Sequence, residues 1–479
     1  MSERATVAAT TTPVQTRVLV VAILASFIAF LDTSVVTVAL PAIGRQLGRG
    51  GEQTLVLQQW VVDAYLVTLG ALILIAGSLS DVHGRRRVLA AGLVAFAAAS
   101  ALCALAPNGP FLVVARAVQG VGGALLVPSS LAMIVAAFAG EAQGRAIGRW
   151  TAFTGIAGLI GPFIGGLLVD TLSWRWVFWL TVPVAVVTLV LLRGVPGGSV
   201  RSGRRIDVRG AALAAVGLAG MVTALIESAH LGWRDWRVSA PLAVGLVGLV
   251  AFLVGERRAR DPMLPLRLFA ARNFAWGNAA TAAIYGALGF GGFVVTLFLQ
   301  QVAHYPATAA GLAQLPVTLL MFGLSSRFGA LSLRLGPRLF MTAGPLLAAG
   351  GYLLLLTTDD GAFYWTQVLP GMLVFGLGLT ITVAPLTAAV LGAAPAADAG
   401  IASAVNNAVA RVAGLVVVAL AGVIVGDALG VDSFHRALLV TAGLFVVGAL
   451  LSLVGITNAR RETDEDPPAG TGAAGARER

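Results

Sequence analysis

Three charged side chains, Asp32, Asp63 and Arg116, stand inside long apolar runs and are the first candidates for chemistry. A charge in the hydrocarbon of a bilayer is costly and usually marks a proton, ion or substrate pathway. At a helical rise of about 1.5 Å per residue, they lie about 13, 10 and 8 Å below the same membrane face. Two carboxylates and one guanidinium leave one acid without a formal partner, which suits proton exchange near neutral pH. The alternative is a static ion network that fixes helix register.

The composition places these residues in a membrane protein. The chain is 58% hydrophobic and 11% charged, whereas a soluble domain carries about 25% charged residues. About fourteen apolar runs are each long enough to cross a bilayer, which takes about 20 residues. The net charge of +10 does not indicate nucleic acid, because the arginines cluster in short loops between the runs. The single Cys103 lies in an apolar run and is assigned to packing.

The arginines also predict the topology. They concentrate in alternate connectors, among them Arg85, Arg86, Arg87, Arg145, Arg193, Arg201, Arg257, Arg334 and Arg338. Such loops face the cytoplasm, so we expect a multi-pass protein of the inner, cytoplasmic membrane with both termini inside the cell. The segment 1–17 has no cleavage site after a short apolar core and is predicted to be a cytoplasmic tail.

A short basic connector between the runs 56–79 and 88–106 is a predicted conformational gate. It contains Gly77, Asp81, Gly84, Arg85 and Arg86. The glycines allow a tight turn of about seven residues, and Asp81 is an unusual choice for a loop that only sets topology. We expect its carboxylate to cap the start of another helix at this membrane face, because a helix N-terminus has unpaired N–H groups and partial positive charge. The alternative is a solvated basic turn.

A weaker copy of this connector favours the gate and shows that the chain repeats. Gly, Leu, Ser, Gly and Arg recur 252 residues downstream, from Gly329 to Arg338, with Leu333 in place of Asp81. A second pair of echoes lies in two other apolar runs: Gly120 and Gly122 before Pro128, and Gly376 and Gly378 before Pro385. Two hydrophobic halves in parallel repeat are typical of transporters.

The predicted fold is an all-α integral membrane protein of two six-helix bundles plus two extra transmembrane helices, about fourteen spans in all. Two long basic connectors, about 194–209 and 256–273, bracket the extra pair. The predicted division is a tail at 1–17, an N-terminal bundle at 18–193, linkers with the inserted pair at 194–273, a C-terminal bundle at 274–456 and a disordered cytoplasmic tail at 457–479.

The fifth run is dense in small residues, and other polar or aromatic residues are candidates for a substrate cavity. The small-residue motif comprises Gly158, Gly161, Pro162, Gly165 and Gly166. Small residues let helices approach closely, and Pro162 bends the helix; a general packing face is the alternative. The cavity candidates are Trp60, Tyr65, Gln119, Asn406 and Arg411.

These motifs resemble the major facilitator superfamily, and within it the fourteen-span drug:proton antiporters of the EmrB/QacA type. The resemblance covers about residues 15–460 and rests on Leu31 to Pro41, Gly77 to Arg87, Arg116 to Ala124, Gly161 to Gly166 and Ser173 to Phe178. It implies the major facilitator fold and assigns Arg116 to proton coupling. This chain has no acid well inside spans ten and thirteen, where some relatives carry one, so divalent-cation substrates are not indicated.

The expected function is proton-coupled antiport that exports amphipathic or cationic small molecules, such as drugs, antibiotics or toxic metabolites. The alternative is a proton-coupled uptake symporter for a small polar nutrient. The sequence has no lysine and no nucleotide-binding loop, which argues against an ATP-driven pump and leaves no enzyme reading. We expect a monomer driven by the proton gradient, with no cofactor, no metal and no nucleic acid. The substrate itself and the proton stoichiometry are not indicated.

Overall fold

The computed structural model describes residues 12–48, 52–196, 207–259, 262–395, 398–426 and 429–458, and these are helical with short connections. The helices of the first half are α1 (Pro13–Leu47), α2 (Glu52–His83), α3 (Arg85–Ala104), α4 (Gly109–Ala137), α5 (Gly140–Thr171), α6 (Arg175–Trp179) and α7 (Thr181–Leu192). Those that follow are α8 (Val208–Leu231), α9 (Trp236–Arg258), α10 (Arg272–Gln301), α11 (Ala307–Leu312), α12 (Leu315–Leu335), α13 (Pro337–Leu354), α14 (Leu369–Gly392), α15 (Ala399–Ala419), α16 (Ala421–Val425) and α17 (Val431–Gly455).

The predicted architecture of about fourteen spans is confirmed. Thirteen helical segments in the described residues are long and apolar enough to cross a membrane, with α6 and α7 forming one span and α11 and α12 another. The shorter apolar stretch Ile156–Thr171 in α5 supplies the fourteenth. All-helical spans follow from physical chemistry, because a helix satisfies its own backbone hydrogen bonds in hydrocarbon.

The packing shows the repeat that the sequence motifs indicate. Helix α3 packs on α4 as α13 packs on α14, and α2 packs on α4 as α12 packs on α14. Helix α1 packs on α5 as α10 packs on α15. We call α1 to α7 the N-terminal bundle, α10 to α17 the C-terminal bundle, and the surface between them the seam.

The two basic connectors have the same backbone geometry 252 residues apart. Gly84 has φ 89° between α2 and α3, and Gly336 has φ 86° between α12 and α13. Residues with a Cβ atom rarely adopt such a positive φ angle, so both turns favour glycine. The expected seven-residue connector is wrong in length: α2 continues to His83 and α3 begins at Arg85. The polar residues at the end of α2 remain helical, so the helix extends beyond the apolar run and the connector is shorter than expected.

The two extra helices flank the bundles. Helices α8 and α9 pack on each other, and α8 packs on α2, α15 and α16. Gly217 and Gly220 of α8 lie against Gly245 and Gly248 of α9, where an added Cβ on Gly220 would sit 2.8 Å from the backbone nitrogen of Gly245. This backbone contact joins the pair as a unit.

The two ends of the spans differ in charge. The arginine-rich end holds residues 84–87, 193, 257–258, 334 and 338, and the opposite end holds the connections α1–α2, α5–α6 and α10–α11. The arginine-rich end and the opposite end correspond to the two membrane faces.

Candidate functional site

Asp32 and Arg116 form a buried ion pair between α1 and α4. The guanidinium nitrogen Nη1 lies 2.7 Å from Asp32 Oδ2. Arg116 Nε donates to the carbonyl of Val61 in α2 at 2.9 Å. Asp32 is fully buried and Arg116 is 2% exposed. The pair therefore ties three helices of the N-terminal bundle through one cation.

Gln119 completes this site, one helical turn after Arg116 on the same face of α4. Its Nε2 donates to Asp32 Oδ1 at 2.8 Å, and its Oε1 accepts from Arg116 Nη1 at 2.6 Å. Each oxygen of Asp32 thus has its own donor. The Gln119 side chain is fully buried inside the bundle, and its role in a substrate cavity stays a prediction.

Aromatic rings enclose the guanidinium. The Tyr65 ring centroid lies 4.3 Å from Arg116 Cζ, and the Phe178 ring centroid lies 5.9 Å from it. Tyr65 is 1% exposed and packs at this site, and its role in a substrate cavity stays a prediction. Cys103 Sγ lies 3.7 Å from Gln119 Oε1 and packs at the same place. Rings over the cation replace part of the hydration it loses on burial.

Asp63 is the acid without a partner. It is fully buried, and neither carboxyl oxygen has a hydrogen-bond partner. Burying an ionised carboxylate without a partner is very costly, so the uncharged form is favoured in this state. Of the two predicted acids, Asp32 therefore has hydrogen-bond partners for both oxygens, and Asp63 has none.

Asp63 lies on the face of α2 that meets the C-terminal bundle. Gln59, one turn earlier, donates from Nε2 to the carbonyls of Val418 and Ala419 at 2.9 and 3.0 Å. Gly70, two turns later, approaches Val412, whose Cγ2 would lie 3.5 Å from an added Cβ. Residues spaced by three or four share a helix face, which places Asp63 in the seam between these two contacts with α15.

Two further side chains, Asp170 and Gln300, connect the two bundles at the end opposite the arginine-rich end. The carboxylate of Asp170, at the end of α5, accepts from the backbone nitrogens of Ala307 and Thr308 at 3.0 and 2.8 Å. It also accepts from the Thr308 hydroxyl at 2.6 Å. Gln300 donates from α10 to the carbonyl of Val38 in α1 at 2.9 Å. Sequence reasoning missed both residues.

The small-residue motif of α5 contacts both bundles. A Cβ added to Gly165 would lie 2.9 Å from Val35 Cα, and one added to Gly161 would lie 2.6 Å from Ser34 Cβ, both in α1. A Cβ on Gly166 would lie 2.5 Å from Thr308 Cα across the seam. Pro162 lies inside the continuous helix α5. Gly158 has no heavy atom within 4 Å of its Cβ position, so it takes no part in this close packing.

The gate residues are only partly described. Gly84 forms the turn given above, and Arg86 Nη2 donates to the carbonyl of Arg193 at 3.2 Å. Arg85 is half-buried at the start of α3. The surroundings of Gly77 and the side chain of Asp81 lie outside the described residues. The capping role of Asp81 therefore stays a prediction.

The remaining cavity candidates lie apart from the ion pair. Trp60 is half-buried on α2. Asn406 donates to Asn278 Oδ1 at 3.1 Å and to Thr281 Oγ1 at 2.9 Å, both within the C-terminal bundle. The Arg411 guanidinium carbon lies 5.5 Å from the ring centroid of Phe30. Arg411 and Phe30 therefore meet across the seam from α15 and α1.

Two helical bundles related by a parallel repeat are the architecture of a secondary transporter. The chain belongs to the Major Facilitator Superfamily, whose family model matches residues 22–418.

Curated relatives of this chain are resistance and export proteins. It is 33% identical to the multidrug transporter protein MdtP of Bacillus subtilis over 374 residues, 77% of this chain and 67% of that protein. It is 36% identical to the puromycin resistance protein pur8 of Streptomyces alboniger over 77% of this chain and 73% of that protein. The cephamycin export protein CmcT of Amycolatopsis lactamdurans is also 36% identical, over 78% of this chain and 77% of that protein.

Solved structures share the fold. The crystal structure of a D-xylose-proton symporter superposes with a TM-score of 0.66 at 16% identity, covering 92% of this chain and 98% of that one. A peptide transporter, POT, superposes with a TM-score of 0.67 at 16% identity, over 91% of this chain and 94% of that one.

Proposed function

We propose that the chain is a proton-coupled antiporter that exports amphipathic or cationic small molecules across the cytoplasmic membrane by alternating access. The observation that carries the proposal is the pair of buried acids: Asp32 in the ion pair with Arg116, and Asp63 unpartnered in the seam. The relatives named for multidrug transport, puromycin resistance and cephamycin export support export of such compounds.

Asp32 is the principal proton carrier in this proposal. In the described state its carboxylate accepts from Arg116 and Gln119. A proton on Asp32 removes its charge and one acceptor site, which weakens both contacts. Proton binding is thereby linked to the packing of α1 on α4, and release of the proton restores the ion pair.

Asp63 shares the proton with Asp32 or meets a cationic substrate. Its burial in the seam requires a neutral side chain or a neighbouring cation. Separation of α2 from α15 breaks the Gln59 contacts on the same face and opens a path to this carboxyl. Access to Asp63 therefore alternates with the state of the seam.

In this proposal the arginine-rich end and both termini lie in the cytoplasm, as the distribution of arginines favours. The contacts of Asp170, Gln59 and Gln300 then close the external end. At the cytoplasmic end, the Asp81 segment with Gly77, Gly84, Arg85 and Arg86 is the proposed gate. Transport needs no cofactor, metal or covalent chemistry in this account, because the proton gradient supplies the energy to a monomer.

Reconstitution tests the direction of coupling. Purified protein in liposomes with an acidic lumen, and a permanently charged lipophilic cation such as ethidium outside, should accumulate the dye in the lumen. Protein-free liposomes under the same gradient are the control. A symporter would instead accumulate substrate from an acidic exterior into a neutral lumen, and that result would overturn the antiporter proposal. A panel of toxic compounds, tested on cells with and without expression, identifies the substrate.

Cysteine labelling tests the topology. Single cysteines at Val200 and Pro265 should react with a membrane-impermeant reagent only from the cytoplasmic side. The native Cys103 is buried and serves as an unreactive background. Labelling of either site from outside the cell would contradict the assignment of the arginine-rich end.

A further inference from the structure

The ion pair continues into a chain of buried polar side chains that crosses the N-terminal bundle. Gln119 Nε2, besides its contact with Asp32, donates to Ser100 Oγ in α3 at 2.7 Å. The Thr181 hydroxyl in α7 donates to the same Ser100 oxygen at 3.0 Å and lies 2.9 Å from the carbonyl of Phe178. Gln119, Ser100 and Thr181 are all fully buried. Four helices thus contribute to one network around Asp32.

Hydrogen-bond direction fixes the orientation of the Gln119 amide. Its two N–H groups serve Asp32 and Ser100, and its oxygen serves Arg116. The reversed amide would set its oxygen against the Asp32 carboxylate and its N–H groups against the guanidinium, which has only donors. Ser100 supplies the second acceptor that the amide nitrogen needs, and the Thr181 hydroxyl holds Ser100 from α7.

We propose that Ser100 and Thr181 are positioning residues of the proton site, which hold the Gln119 amide N–H on Asp32 and so favour the ionised carboxylate that pairs with Arg116. This inference rests on the proposed function, in which Asp32 carries the proton. A hydrogen bond to the charged form of a carboxylate favours that form. A substitution that loosens the amide should therefore shift the pH profile of transport to higher pH.

The ionisable neighbours of this site come from several helices. Arg116 from α4 pairs with Asp32, and Cys103 from α3 lies beside Gln119. Tyr65 and the unpartnered Asp63 come from α2. Arg411 of α15 lies across the seam, over the ring of Phe30 in α1. The substitutions used below leave all of these groups in place.

Two substitutions test the proposal against a matched control. Ser100→Ala removes the acceptor of the Gln119 amide, and Thr181→Val removes the hydroxyl that holds Ser100. Thr188→Val makes the same change at a fully buried position of the same helix, where the hydroxyl donates only to the carbonyl of Val184 at 2.7 Å. Thr181→Ser restores the hydroxyl and serves as the rescue.

The readout is proton-driven efflux in proteoliposomes as a function of pH, with thermal unfolding to verify that each variant is folded. Ser100→Ala should raise the pH midpoint by roughly 0.5 to 1 unit, the size of one hydrogen bond, and Thr181→Val by less. Thr188→Val and Thr181→Ser should match the wild type.

Coincident pH profiles for folded Ser100→Ala, Thr181→Val and wild type would overturn the inference. An equal shift in Thr188→Val would also overturn it, because general packing of α7 would then explain the effect. Failure of the proposed function is a separate result: the wild-type protein itself would show no efflux that depends on the pH gradient.

Discussion

The two buried acids of this transporter lie in contrasting surroundings. Asp32 sits inside the N-terminal bundle, and each of its oxygens accepts from a different side chain of α4. Asp63 sits in the seam between the bundles, and neither oxygen has a partner. Both are fully buried. Burial alone therefore does not decide the role of an intramembrane acid, since the partners do.

The two acids lie at surfaces that differ in how they move during transport. The Asp32 network joins helices that stay together in one bundle, so its ion pair can survive relative motion of the bundles. Asp63 shares a face of α2 with Gln59 and Gly70, which contact α15 of the other bundle. An acid at a moving surface changes its solvation in every transport cycle, which couples its charge to the opening of the seam.

Removing the cation of the Asp32 site should have the largest effect. Arg116→Gln leaves the buried carboxylate without its ion-pair partner, and we expect a loss of about 3–5 kcal/mol in the free energy of unfolding. The double variant Asp32→Asn with Arg116→Gln removes both charges and should recover most of that loss. Chemical unfolding of the purified variants measures both values. A single variant as stable as the wild type would contradict the assigned ion pair.

Asp63→Asn should change the stability of the protein much less than Arg116→Gln does. The amide is neutral and of similar size, and no partner is lost, so the free energy of unfolding should fall by less than about 1 kcal/mol. Transport assays with a neutral and a cationic compound then separate its two proposed roles. Loss of cation transport alone indicates contact with the substrate, whereas loss of both indicates a shared proton. Unchanged transport of both would exclude Asp63 from coupling.

The seam should open when its contacts at the end opposite the arginine-rich one are removed. Asp170→Ala deletes three hydrogen bonds across the seam, and helix capping by one carboxylate is worth about 0.5–2 kcal/mol. We expect a cysteine at Val38, which is 1% exposed, to become several-fold more reactive to an external reagent.

Asp359 offers a matched control for this experiment. Its carboxylate accepts from the backbone nitrogens of Gly361 and Ala362, both at 3.0 Å within one loop, and from Gln367 Nε2 at 3.1 Å. The hydrogen bond from Gln367, followed by those from the backbone, holds the pKa of Asp359 below its usual value. Asp359→Ala should therefore leave the reactivity at Val38 unchanged. Equal reactivity in the two variants would show that Asp170 does not hold the seam.

The sequence predicts the fold well because apolar runs and arginine-rich loops are local signals. The fourteen spans follow from run length, and the echo of Gly84 at Gly336 predicts the repeat that the positive φ angles display. The same logic found Asp32, Asp63 and Arg116, since each is a lone charge in an apolar run.

The contacts of these residues could not be predicted in the same way. Asp170 meets Thr308 and Gln59 meets Val418 across 138 and 359 residues of sequence, and nothing local in the sequence specifies either contact. Gln119 is predicted as a cavity residue, and the structure adds its contacts with Arg116 and Asp32. Its spacing of three from Arg116 places both on one face of α4 and was the available signal.

The central claim, that Asp32 carries the proton, is tested most directly by proton-driven transport in Asp32→Asn. Proteoliposomes with an acidic lumen should accumulate ethidium with the wild-type protein and not with folded Asp32→Asn, while binding of ethidium to the purified variant persists. Accumulation by Asp32→Asn at the wild-type rate would contradict the claim and return the Asp32–Arg116 pair to a purely structural role.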